Sequence, residues 1–108
     1  MNLKPSIFVT LLAGLLGLNL AQAQTDPGLT DKTIKLGVFG PLSGNAMAYG
    51  FDVINAAKMH YDQVNKEGGI HGRKIELVVE DDRCNANDLL AAVKKLTEQD
   101  KVFALNGG

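Results

Sequence analysis

Three short apolar runs, separated by two segments of helical periodicity, limit the folds open to this 108-residue chain. Thr33–Phe39 (TIKLGVF), Lys74–Glu80 (KIELVVE) and Val102–Leu105 (VFAL) are rich in β-branched and apolar residues and read as strands, the third of them buried. From about Ala48 to Lys66, Val53, Ala57, Tyr61 and Val64 recur at helical spacing and give one apolar face, while Asp52, Lys58, Asp62 and Lys66 fall mainly on others. Leu89, Val93 and Leu96 keep the same spacing in a second helix. Asn85 or Asn87 is placed to cap its start, and Lys94 and Lys95 lie towards the negative end of its dipole. Strand, helix, strand, helix, strand implies an α/β fold, a partial βαβαβ parallel sheet with right-handed crossovers.

The punctuation agrees. Asp26-Pro27-Gly28 is a turn-rich lead into the first strand, and Gly40-Pro41-Leu42-Ser43-Gly44 stops that strand, since Pro removes a ladder donor and Gly permits positive φ. Gly68-Gly69 stands where the first helix needs a left-handed residue to finish. Asp81 and Asp82 are adjacent, so on an extended chain they point to opposite sides; they read as a strand-end turn and helix-cap device rather than a paired acid and base. A parallel sheet needs cover on both faces, and three strands with two helices leave part of it bare. The expectation is therefore a truncated sequence, with a small complete domain as the alternative.

The first residues belong to a different category. Lys4 and the amino terminus supply a positive region, a mostly apolar run follows from Ile7 to Ala21, and Ala21-Gln22-Ala23 places small residues at a cleavage site. The run is shorter than the roughly 20 apolar residues a bilayer-spanning helix needs. Residues 1–23 are thus expected to be a signal peptide, cleaved after Ala23, with 24–108 as the folded part. No Cys follows the small-residue motif to carry a lipid, so the expected location is the periplasm, an oxidising compartment.

Net charge is −1 and Lys4 is the only basic residue in the leader, so the mature part is close to −2 with signs interspersed. Without a basic stripe, nucleic acid is a poor candidate partner. The early glycines, Gly37, Gly40, Gly44 and Gly50, do not fit a dinucleotide fingerprint, and no phosphate loop is present. His60 and His71 have no second nitrogen at metal spacing. No catalytic set, metal or cofactor is expected.

Ligands of open α/β sheets sit beyond the carboxyl ends of strands, where strand order reverses. For a 2-1-3 order that crevice lies between the loop after Phe39 and the loop after Asn106, the latter made of Gly107 and Gly108. The first loop offers the Ser43 hydroxyl and amides around Gly44 for a carboxylate, and Tyr49 as an aromatic wall. The plainer readings are a helix-cap or turn role for Ser43 and packing at the domain edge for Tyr49. Cys84 is the single cysteine. In an exported protein an odd Cys points to a disulfide partner elsewhere or to a tolerated free thiol.

Three stretches carry a resemblance: IKLGVFGPLSGNAMAYG (Ile34–Gly50), NKEGGIHGRK (Asn65–Lys74) and ELVVEDDRC (Glu76–Cys84). In that order, behind a leader, they are similar to the opening of periplasmic leucine/isoleucine/valine-binding proteins. The resemblance implies the first lobe of a two-lobed type I periplasmic-binding fold, which closes on a small-molecule ligand and delivers it to an ABC permease in the inner membrane. It implies a monomer when full length, a cleft-lining role for Tyr49 with Ser43 and Gly44 beside it, and a disulfide from Cys84 to a cysteine just past Gly108. It also places the family's main clamp on the ligand's carboxylate and ammonium after the third strand. Related proteins take up short amides, urea and aromatic acids. The competing classes are a ligand sensor on the same fold and a secreted α/β enzyme.

Overall fold

The computed structural model describes residues 26–107; the expected signal peptide and Gly108 lie outside the described residues. The elements are β1 (Thr33–Gly40), α1 (Met47–Lys66), β2 (Lys74–Asp81), α2 (Ala86–Lys94) with a π-helical turn continuing it over Lys95–Gln99, and β3 (Ala104–Gly107). The sheet is parallel in the order β2-β1-β3, as the alternation predicts. β1 and β2 pair along their whole lengths, from Thr33 opposite Lys74 to Gly40 opposite Asp81.

The helices cover opposite faces, and two glycines of β1 show which. A β-carbon on Gly37 would meet the side chains of Leu105, Leu96 and Val102, whereas one on Gly40 would point at Ile54 and Gly50. One face of β1 therefore receives α1 and the other receives the π-helical turn after α2, as right-handed crossovers to either side of a central strand require. Buried Val38, Ile54 and Ile75 belong to the α1 side; buried Ala92, Leu96 and Val102 belong to the other. Lys95, Glu80 and Asp100 fasten that second side, with the Lys95 ammonium paired to Glu80 and 3.0 Å from Asp100. These two carboxylates raise the Lys95 pKa.

The end of α1 follows the expected form. The Gly68 and Gly69 amides bond back to Asn65 and Val64 at 3.3 and 2.9 Å, with φ of 107° and 76°. Asn65 then uses its side-chain amide to bond both backbone groups of Ile75, at 2.7 and 2.8 Å, tying helix end to strand start. Of the two proposed caps for α2, Asn85 is the one used: its side-chain oxygen accepts from the Asp88 amide at 2.9 Å.

Two expectations need correction. Val53 is not in the core but 68% exposed, and Ile54 is buried instead. The buried or half-buried residues of α1 are Gly50, Ile54, Ala57, Tyr61 and Val64, with Asn55 and Asn65 beside them. Gly50 sets that rotation, because its missing side chain lets the helix rest on the Pro41 carbonyl. The third strand begins two residues late and is exposed along its length; only Val102, just before it, is buried. Among the described residues β3 pairs with β1 alone, so its outer edge has no neighbour to cover it.

Leu96 is fully buried and Leu90, on the same helix, is 69% exposed. Leu96→Ala should cost about 2–5 kcal/mol of unfolding free energy, by the usual cavity arithmetic. Leu90→Ala should stay within about 0.5 kcal/mol. Urea unfolding checks this, and equal losses at both positions would contradict the assigned core.

Candidate functional site

At the carboxyl ends of β1 and β3 the chain leaves a cavity of about 350 Å³, lined by Phe39, Gly40, Pro41, Ala46, Tyr49, Gly50, Val53, Ile54, Cys84 and Gly107. This is the point of strand-order reversal where open α/β sheets hold ligands. The lining is almost wholly apolar. Phe39 and Gly107 come from facing ends of β1 and β3, which are in register. Tyr49, Val53 and Ile54 come from the first turns of α1. Pro41 and Ala46 come from the loop between, and Cys84 from the turn after β2.

The loop after β1 is held by a carboxylate from the neighbouring strand. Asp81, the last residue of β2, accepts the Leu42 amide at 2.8 Å and the Arg83 amide at 2.9 Å on one oxygen, and the Ser43 hydroxyl at 2.6 Å on the other. These donors stabilise the charged form and lower the Asp81 pKa from its ordinary 3.8 to about 2, the Ser43 hydroxyl contributing most. Asp82 turns to the other side, is buried, and accepts the Cys84 amide at 2.9 Å. The two carboxylates thereby support Arg83 and Cys84, consecutive non-glycine residues with φ of 49° and 55°. Such backbone costs about 1–3 kcal/mol per residue, and the hydrogen bonds offset it. The expected turn role of Asp81 and Asp82 is what the structure shows, but neither caps a helix, since Asn85 caps α2.

The residues singled out from sequence divide accordingly. Tyr49 and Gly107 line the cavity, Tyr49 with 79% of its surface free. Ser43 is half-buried with its hydroxyl committed to Asp81, neither capping α1 nor lining the cavity. Gly44 is exposed, at φ 76°, with open space around it. Gly108 is outside the described residues. Cys84, the single cysteine of the sequence, is exposed at the cavity. His60 lies beside the Tyr61 ring, with centroids 5.7 Å apart, and His71 is exposed in its turn. Among the described residues no three His, Cys, Asp or Glu side chains converge as metal ligands. Sequence reasoning missed Phe39, Pro41, Val53 and Ile54 as lining, and it had assigned Val53 to the core face of α1.

The periplasmic binding protein family model matches residues 33–108. The chain is 35% identical over 96 residues to a Leu/Ile/Val-binding protein of Rhizobium johnstonii, covering 89% of this chain and 23% of that one. A branched-chain amino acid transporter substrate-binding protein of Streptococcus pneumoniae, solved with isoleucine, superposes with a TM-score of 0.66 at 35% identity, over 68% of this chain and 21% of that one. A fatty acid ABC transporter substrate-binding protein of Thermomonospora curvata gives 0.67 at 36% identity, over 76% and 21%. The chain spans between a fifth and a quarter of the lengths of these relatives.

Because the folded pKa of Asp81 lies below the unfolded one, its carboxylate stabilises the fold fully above pH 3.8, and this is lost as pH falls through about 2. A carboxyl-carbon NMR titration should find the Asp81 midpoint near 2 and move it upward in Ser43→Ala. A midpoint at the ordinary value in the unmodified protein would disprove the three-donor arrangement.

Proposed function

The chain belongs to the periplasmic binding protein family, and from that premise we propose that it supplies one wall of the ligand site of a solute-binding protein for a branched-chain amino acid. The observation that carries this reading is the apolar cavity at the strand-order reversal, with Tyr49 and Val53 at its mouth. Such a wall suits an aliphatic side chain, which gains about 0.8 kcal/mol for each buried methylene. The relatives named for leucine, isoleucine and valine support the same ligand class.

On this reading residues 1–23 are a leader removed after Ala23, and 24–108 are the opening part of the first lobe. The protein works as a monomer, performs no catalysis, and hands its ligand to an ABC permease. Cys84, exposed at the cavity rim, pairs with a cysteine beyond Gly108. A second reading, a longer aliphatic ligand, draws on the same apolar lining and on the relative named for a fatty acid.

Thermal unfolding of the full-length mature protein with a ligand panel tests the assignment. L-leucine, L-isoleucine or L-valine at about 100 times Kd should stabilise it by about 2.7 kcal/mol, and Tyr49→Ala should weaken that binding about tenfold, a loss of about 1.4 kcal/mol. No response to aliphatic amino acids, with a response to a fatty acid, short amides, urea or aromatic acids, would reassign the ligand. Thiol titration of denatured, unreduced full-length protein should find no free Cys84; one free thiol per chain rules the disulfide out.

A further inference from the structure

Residues 41–46 carry part of the cavity wall, yet little from their own sequence holds them. Pro41 has no amide hydrogen, Ala46 at the start of α1 makes no side-chain cap, and Gly44 has no neighbour within 4 Å of where its side chain would stand. From the loop into α1 the backbone contributes the Met47 to Gly44 bond at 3.2 Å and the Tyr49 to Ala46 bond at 3.1 Å. Among the described residues, one side chain from outside hydrogen-bonds this loop, and it is Asp81. The contact spans 38 and 39 residues of sequence and exists because β1 and β2 finish side by side, with Gly40 opposite Asp81.

From Leu42 the effect passes directly to the wall. Pro41 precedes the bonded amide, lines the cavity, and lies against Gly50, where any β-carbon would collide with its carbonyl oxygen. Tyr49 is next to Gly50 and Val53 lies one turn further on. We infer that Asp81 is a positioning residue: by gripping Leu42 and Ser43 it seats Pro41 on Gly50 and so places Tyr49 and Val53 at the cavity, and Ser43 acts through Asp81 rather than on the ligand. This rests on the reading that the cavity receives a ligand. The Arg83 amide uses the same Asp81 oxygen as Leu42 while Ser43 uses the other, so removing the carboxylate also releases the turn after β2.

The test is a double-mutant cycle in the full-length protein, read as L-leucine affinity by titration calorimetry. Asp81→Ala should weaken binding about tenfold or more, and adding Ser43→Ala to it should change affinity less than about twofold, since both remove one linkage. Asp81→Asn keeps an oxygen for the two amides and should recover affinity to within about threefold of the unmodified protein. Leu96→Val, chosen to lower stability away from the cavity, should leave affinity unchanged and so exclude general loosening as the cause. If Ser43→Ala costs the same factor with and without Asp81, Ser43 touches the ligand and the inference fails; it also fails if Asp81→Ala binds like the unmodified protein. Should the unmodified protein bind no L-leucine, the ligand assignment is what fails. Amide exchange then decides the positioning role: Asp81→Ala should speed exchange at Leu42 while the β1 and β2 ladder stays protected, and unchanged exchange at Leu42 overturns it.

Discussion

β1 is the strand on which the described structure depends, because it alone is hydrogen-bonded on both edges. A strand flanked by crossovers running to either side must take one helix on each face, and its residues must alternate accordingly. Two of its inward positions are glycines. Gly37 admits Leu96, Val102 and Leu105 close to the sheet, and Gly40 admits Ile54 and the Gly50 backbone. A side chain at Gly37 would stand 2.8 Å from Leu105, closer than real contacts allow. The helices can approach because the central strand gives up side-chain volume.

The in-register finish of β1 and β2 is what turns this scaffold into a site. It sets Asp81 opposite Gly40, just before the β1–α1 loop, so one carboxylate serves the loop, the turn after β2 and, through Pro41 and Gly50, the start of α1. Polar groups are thereby used for the frame, and the cavity is left to apolar surfaces. The depressed Asp81 pKa is a consequence of that arrangement: three donors converge on a group that remains solvated, and stabilise its charge.

The element sequence, the parallel sheet, the Gly68-Gly69 stop, an Asn cap on α2 and the turn role of Asp81 and Asp82 were readable from residue type and spacing. Each depends on a local rule: period, turn chemistry or capping. What escaped was decided by packing between distant segments. Val53 and Ile54 are adjacent and both apolar, and periodicity alone tolerates either as the inward residue; contact between Gly50 and Pro41 chooses Ile54. Val102–Leu105 is apolar throughout, so its pattern could not set where pairing begins, and the pairing of Leu36 with Ala104 fixes it two residues late. Ser43 was legible as a polar group near the crevice, but its partner lies 38 residues away and appears only when the strands are set in register.

For a clamp of the proposed kind, this division between a polar frame and an apolar wall has an energetic consequence. Closure of two lobes is driven only by the ligand's preference for the closed state, and a wall that reshaped itself on each encounter would consume part of that preference in ordering the loop. An apolar wall also provides little direction by itself, since apolar attraction is nearly independent of angle. Selectivity between aliphatic ligands must then come from shape, and shape requires Tyr49 and Val53 to stand where the frame holds them. Fixing the loop with a carboxylate anchored at a strand end, in place of a longer or more heavily bonded loop, achieves this while leaving Tyr49 largely uncovered. On the proposed reading, that uncovered ring is where a ligand would gain most by being enclosed, so the rigidity of the wall and its exposure would serve the same step.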